Sequence, residues 1–258
     1  MCPTSPQAIS PKSCTSSRLK IMDERFSLGC FNFCAARPMA KLIADMVTLT
    51  ADEAVCFPLL SLLGFTLYFA FGARDAPVAV AGQRILRMYG DCGAVCLLEQ
   101  FIKAVFRRPR PLWLKKKAFY CMPAEWYSFA SGHAMRAAYC SVILIRPDYS
   151  PLPFLGVPHH SQLLLSFLIV WMGAVAISRI CLAKHFATDV IAGVVIGIAV
   201  AASPSPTPQG LTRVVLACIF TFEVLVIAFS KRFRALIPGW PALAAIVIVF
   251  WLTFPCAA

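Results

Sequence analysis

The sequence predicts an all-α fold: a polytopic transmembrane helical bundle of about six to seven spans, with interfacial helices at its N-terminal end. Three observations predict it. Of 258 residues, 59% are hydrophobic and 14% charged, where a soluble domain carries nearer a quarter charged. Apolar runs long enough to span a bilayer, or nearly so, recur at about 54–73, 88–106, 129–146, 162–180, 186–203, 212–230 and 241–256. The basic residues, which give a net charge of +12, are placed unevenly along the chain.

Taken in order, residues 1–25 are polar and rich in Ser and Pro, with Lys12, Arg18, Lys20 and Arg25. They lack the apolar core and small-residue cleavage pattern of a signal peptide and read as a disordered cytosolic tail. Residues 26–53 mix Phe31, Phe33, Leu42, Ile43 and Met46 with Arg37, Lys41 and Asp45, a pattern that suits helices lying in the interface. Residues 54–203 hold the first five apolar runs and form the expected catalytic core. Residues 204–258 form a C-terminal transmembrane extension, in which Glu223 has no assigned role.

With a cytosolic N-terminus and seven spans, the cytosolic segments receive the tail, Arg107, Arg108, Arg110, Lys115 to Lys117, Lys184, Lys231, Arg232 and Arg234. The opposite side keeps Arg74, Arg84 and Arg87, with Arg146 and Arg213 at span edges. This is a positive-inside distribution. It makes the bilayer the partner of the basic charge and argues against nucleic acid. The twelve cysteines do not form a disulfide framework, since Cys56, Cys92, Cys96, Cys140 and Cys218 lie inside apolar runs. Cys30-x3-Cys34 has no partner pair, so no metal site is expected. Cys2 and Cys14 are candidates for acylation without a motif that requires it.

Three charged constellations interrupt the apolar sequence. Lys103 closes the second run, and Arg110 follows within Phe106-Arg107-Arg108-Pro109-Arg110-Pro111, whose prolines end the helix. Glu99 precedes Lys103 by four residues, a spacing that also serves a purely structural pair. Arg107, Arg108 and Lys115 to Lys117 read as topology and lipid attraction. Ser131-Gly132-His133 opens the third run, where free N–H groups and the helix dipole favour an anion. Ser131 adds a hydroxyl, and Gly132 permits close approach of backbone to a ligand. Alone, this triplet reads first as an N-cap followed by an interfacial histidine.

The third constellation, Ser178-Arg179 to His185 and Asp189, lies at the turn between two strongly apolar segments. Ionisable groups at such a place are expensive and mark a working site by default, although a salt bridge capping a helix is the other reading. His185 and Asp189 are four apart and share a face if a helix begins near His185. In the seven-span order all these groups fall on one side of the membrane. Three cations, an anion-binding helix start and two histidines converging there point to phosphate chemistry.

The motifs Lys103-x6-Arg110-Pro111, Ala130-Ser131-Gly132-His133 and Ser178-Arg179-x5-His185-x3-Asp189 resemble the three signatures of the type 2 phosphatidic acid phosphatase superfamily. The second signature usually begins with Pro where this chain has Ala130, a change expected to soften the loop and tune activity. Ser128 to Arg136, the Phe-Arg-Arg-Pro-Arg-Pro run and Arg37-Pro-Met-Ala-Lys41-Leu-Ile are similar to the branch that hydrolyses polyisoprenoid diphosphates, including presqualene diphosphate. The likeness covers roughly residues 30 to 203.

The resemblance implies roles. His185 attacks phosphorus and forms a phosphohistidine, and Asp189 holds its ring in the attacking tautomer. His133 protonates the leaving oxygen and then serves as base toward water. Lys103, Arg110, Arg179, Ser131 and the Gly132 N–H grip the phosphoryl oxygens. No metal and no other cofactor is expected, because three fixed cations replace a magnesium ion. Arg136, one turn beyond His133, is expected to hold the second phosphate of a diphosphate. The implied substrate is an isoprenoid phosphate or phospholipid reached from the bilayer, and the implied address is the endoplasmic reticulum or nuclear envelope, with the site facing the cytosol. A phosphatidate, lysophosphatidate or sphingoid-phosphate phosphatase uses the same signatures. A glucose-6-phosphatase kind of enzyme places its site in the lumen, against the charge bias, and an inactive membrane scaffold would not need every polar catalytic group.

Overall fold

The structure, a computed structural model, describes residues 18–71, 75–111, 127–158 and 161–203. Cys2, Cys14, Lys12, Arg74, Lys115 to Lys117, Arg213, Glu223, Lys231, Arg232, Arg234 and the last two apolar runs lie outside the described residues. Every regular element among the described residues is helical. The order is α1 Arg18–Ala35, α2 Pro38–Leu49, α3 Glu53–Phe65 running into a π-helical stretch Thr66–Phe71, α4 Ala76–Phe106, α5 Gly132–Ile145, a 3-10 turn Leu152–Leu155, α6 Gln162–Cys181 and α7 Ala187–Ala202.

The helix ends follow from local chemistry. Pro38 sits in the first turn of α2, where its missing N–H costs nothing, after an extended Arg37. Helix α4 stops at Phe106, ahead of Pro109, and Arg107 turns the chain with φ 47°. Helix α6 ends in the same way: Ala183 adopts φ 54°, and the Lys184 N–H returns to the Arg179 carbonyl at 3.1 Å. That left-handed alanine costs about 1 kcal/mol, and it brings His185 back beside the last turn of α6.

Two compact units are present. Among the described residues the first comprises 18–52, 98–111, 127–138 and 169–197, and the second 53–71, 75–97, 139–158, 161–168 and 198–203. In the first, Gly193 and Gly197 of α7 face the backbone of α5, and a Cβ on either would overlap the Ser131 or Met135 carbonyl. This Gly-x3-Gly contact is the small-residue packing typical of membrane helices, and it fixes the start of α5 against α7. Leu163, Phe167, Val170 and Ile177 on α6, and Ile191 and Val195 on α7, are exposed, as lipid-facing side chains are. Among the described residues α6 is the one helix both long and apolar enough to cross a bilayer by composition, and α7 is a shorter apolar helix.

In the second unit Arg84 donates to the carbonyls of Pro147 and Ser150, both at 2.8 Å, and Arg87 to the Tyr149 hydroxyl at 2.8 Å. Arg146 donates to the carbonyls of Ala201 and Ser203 near the C-terminal end of α7, which offsets its unpaired carbonyls. The expectation that Arg84 and Arg87 lie in a loop before an 88–106 span is corrected: both are inside α4, which starts at Ala76. Their charge interrupts the apolar run, yet the 147–150 segment satisfies it. The expectation of a disordered segment through residue 25 is likewise corrected at its end, since Arg18–Arg25 belong to α1. Asp23 explains this, because it is buried and bonded by groups far along the chain.

Candidate active site

The site lies in the first unit, where the loop after α6, the starts of α5 and α7 and the end of α4 meet. His185 is buried, and its Nδ1 lies 2.7 Å from the Ser128 carbonyl oxygen. A carbonyl only accepts, so Nδ1 carries the proton and Nε2 keeps its lone pair. Burial, and then the charges of Arg110, Arg179 and Lys103, hold this imidazole well below its ordinary pKa, so it is neutral at physiological pH.

Asp189 was expected to hold the ring, and here the structure differs. Its Oδ2 lies 4.0 Å from His185 Nδ1, beyond hydrogen-bond distance. Because α7 starts at Ala187, Asp189 falls in its first turn and accepts the Phe186 N–H at 2.9 Å, as a carboxylate at that position of a capped helix does. Its other oxygen accepts from Arg108 Nη1 at 2.6 Å, and its backbone carbonyl accepts the Ser131 N–H at 3.0 Å. Asp189 thus ties three chain segments together, while the Ser128 carbonyl sets the tautomer of His185. Ser128 is held in turn by its N–H, which donates to the Arg108 carbonyl at 2.8 Å, next to the bridge between Pro109 and Tyr127.

Arg108 is more than a topology signal. It lies over the Phe186 ring at 4.3 Å and donates to Asp189, to the Thr188 hydroxyl and to Asp23 on α1. Asp23 Oδ1 also accepts the Thr188 N–H at 3.1 Å, and Ser27 Oγ accepts the Ala187 N–H at 3.0 Å. Helix α1 therefore caps α7 from outside, four residues apart on one face. Burial raises the Asp23 pKa, but the hydrogen bonds from Thr188 and Arg108 outweigh it and leave the carboxyl below its ordinary value.

A second cluster surrounds His133. Glu99 is buried and gives one carboxylate oxygen to Lys103 and the other to Arg136 Nη1, at 2.9 Å. Gly132 makes this possible, because a Cβ there would overlap the Glu99 carboxylate. The close approach seen at Gly132 is to Glu99, where the sequence suggested a ligand. Arg136, expected to grip a second phosphate, is instead buried, with Nε on the Ala51 carbonyl at 3.2 Å and Nη2 3.3 Å from His133 Nδ1. The other edge of His133 meets Asp52, with Nε2 3.2 Å from Oδ2. Neither Asp52 nor Asp23 was singled out in the sequence, where each is one acidic residue in an ambiguous amphipathic stretch.

Arg110 Nη1 donates to the Lys184 carbonyl at 2.8 Å, and Arg179 Nη1 to Thr48 Oγ1 at 3.0 Å. Arg179 is close enough to influence both imidazoles. Two buried polar atoms, Ser131 Oγ and Arg179 Nε, have no hydrogen-bond partner among the described residues. Such atoms are rare in a folded interior and cost about 1–3 kcal/mol each. One is a hydroxyl at a helix start and the other a cation, and each can donate to an anion. No group of three or more His, Cys, Asp or Glu side chains among the described residues is arranged to hold a metal ion.

Comparison with known proteins gives one family match and two similar folds. Residues 92–213 match the family model of the PAP2 superfamily. The fold is similar to that of the first transmembrane PAP2-type phosphatidylglycerolphosphate phosphatase from Bacillus subtilis, with a TM-score of 0.56 and 23% identity over 80% of this chain and 89% of that one. LpxE from Aquifex aeolicus is also similar, with a TM-score of 0.49 and 20% identity over 79% of this chain and 99% of that one. The family match covers residues 92–213, a little under half of the chain, and the likeness to the Bacillus subtilis protein is one of fold.

Proposed function

We propose that the chain is a membrane-embedded lipid phosphatase that hydrolyses isoprenoid diphosphates and phosphates (farnesyl, geranylgeranyl or presqualene diphosphate) through a phosphohistidine on His185. The observation that carries this reading is the pair of unpartnered buried polar atoms, Ser131 Oγ and Arg179 Nε, in the same unit as an imidazole whose Nε2 is unprotonated.

Nε2 of His185 attacks phosphorus as the bond from phosphorus to the leaving oxygen breaks, and the protonated His133 ring supplies the proton that oxygen takes up. Water then attacks the phosphohistidine, His133 removes its proton, and the P–N bond breaks, returning both rings to their starting states. Lys103, Arg110 and Arg179, with Ser131 and the start of α5, offset the charge that builds on the phosphoryl oxygens. Lys103 acts with Glu99 attached, so its charge is partly balanced before substrate binds. No metal or cofactor enters these steps. The charge bias supports a site facing the cytosol, and the polyisoprenoid resemblance supports an endoplasmic reticulum or nuclear envelope address.

A second reading, a phosphatase for phosphatidate, lysophosphatidate or sphingoid phosphates, is favoured by one observation. Glu99 and the Ala51 carbonyl engage the arginine expected to hold a second phosphate. Phosphate release from isoprenyl diphosphates and from phosphatidate in detergent micelles, with EDTA throughout, separates the two. Faster release from the diphosphates supports the first reading, and faster release from phosphatidate the second. No release from either by the wild type would leave a membrane scaffold.

A further inference from the structure

Asp52 lies outside residues 92–213, the stretch that carries the family match, yet its carboxylate is 3.2 Å from His133. Which ring nitrogen faces it follows from the other partner. A guanidinium only donates, so His133 Nδ1 accepts from Arg136 Nη2, and the ring proton sits on Nε2, toward Asp52. The two acidic contacts form one frame: Ala51 accepts from Arg136 Nε while its neighbour Asp52 accepts from His133, and Glu99 holds the far side of Arg136.

We propose that Asp52 is a positioning residue for His133, orienting the ring and balancing its charge when it carries the proton destined for the leaving oxygen. This rests on the phosphatase reading above. The charged groups facing the ring are Arg136 on its own helix, Arg179 on α6, Asp52 ahead of α3 and, through Arg136, Glu99 on α4. Two of these are cations, and a second proton on Nδ1 turns the 3.3 Å contact with Arg136 repulsive. Among the described residues Asp52 is the carboxylate in direct contact with the ring, and it offsets that repulsion. Its side chain is 31% exposed while that of His133 is 13% exposed, so the carboxylate sits on the more open edge of the ring.

The dependence on leaving group tests this, because assistance by a proton matters most when the departing oxygen is strongly basic. Farnesyl monophosphate expels an alkoxide and farnesyl diphosphate a phosphate ester, on the same lipid tail. In Asp52→Asn, kcat/KM is expected to fall about 10²-fold on the monophosphate and roughly ten times less on the diphosphate, with Asp52→Glu recovering most of the loss. Equal losses on both substrates, or no loss on either, overturn the proposal. If Asp52→Asn does not fold in detergent, Asp52→Ser carries the same comparison. A wild type inert on both lipids would refute the isoprenoid phosphatase reading itself, whereas an active wild type with an unchanged ratio in the variant would refute the role of Asp52 alone.

Discussion

In the second unit Arg84, Arg87 and Arg146 donate to backbone carbonyls, a tyrosine hydroxyl and the exposed Asp148 carboxylate, and lie over the rings of Phe154 and Tyr149. In the first, Lys103, Arg108, Arg136 and Arg179 are buried or half-buried against carboxylates, hydroxyls and an imidazole. The same residue types serve two ends. Where arginine meets carbonyls it closes the chain's own unpaired acceptors, and the contacts are complete in themselves. Where cations gather around carboxylates, Arg179 Nε and Ser131 Oγ have no partner among the described residues. A folded interior tolerates such an arrangement where a ligand anion completes it.

The comparison breaks most visibly at Arg179. Arg179→Ala should lower kcat/KM by about 10²–10³-fold, the usual effect of removing one preorganised charge, with little change in expression. Arg84→Ala should do the reverse, leaving kcat/KM within about 2-fold while costing roughly 1 kcal/mol, chiefly for the part-buried Ser150 carbonyl left unpaired. Measuring both variants for turnover and thermal midpoint checks the contrast, and a matching profile in the two would abolish it.

A smaller effect is expected at Asp23, which holds Arg108 and caps α7 within the first unit without touching His185. Asp23→Asn should cost about 1 kcal/mol, as lost caps do. The sign of its pH dependence follows from the lowered pKa of Asp23. Its stabilisation is present above the ordinary carboxylate value of about 4 and is lost as pH falls through the lower folded value. Acid unfolding followed from pH 5 downward should therefore be less steep in Asp23→Asn than in the wild type.

Much of this could be read in the chain because polar groups inside apolar runs are conspicuous. Lys103, Ser131, His133, Arg179 and His185 stand out for that reason, and the first unit brings them together. Spacing went part of the way at Asp189: four residues put its carboxylate 4.0 Å from His185 Nδ1, but the helix begins only at Ala187 and the carboxylate turns to Phe186 and Arg108. It misled at Arg136, since position on a helix does not reveal that Glu99 from another helix is waiting. Arg108 was hidden within a basic run, where nothing in the pattern tells which member turns inward. Asp23 and Asp52 lie in segments of mixed polarity, and only tertiary contacts with Thr188, Arg108 and His133 distinguish them from solvated charges.

The central claim is that the neutral His185 imidazole attacks phosphorus through Nε2. Rapid acid-free quenching of the wild type during turnover of phosphorus-labelled farnesyl diphosphate, followed by peptide mapping, tests it directly. The account predicts label on the peptide containing His185, stable to base and labile to acid, and none in His185→Ala. Label on another residue, or undiminished turnover by His185→Ala, would contradict it.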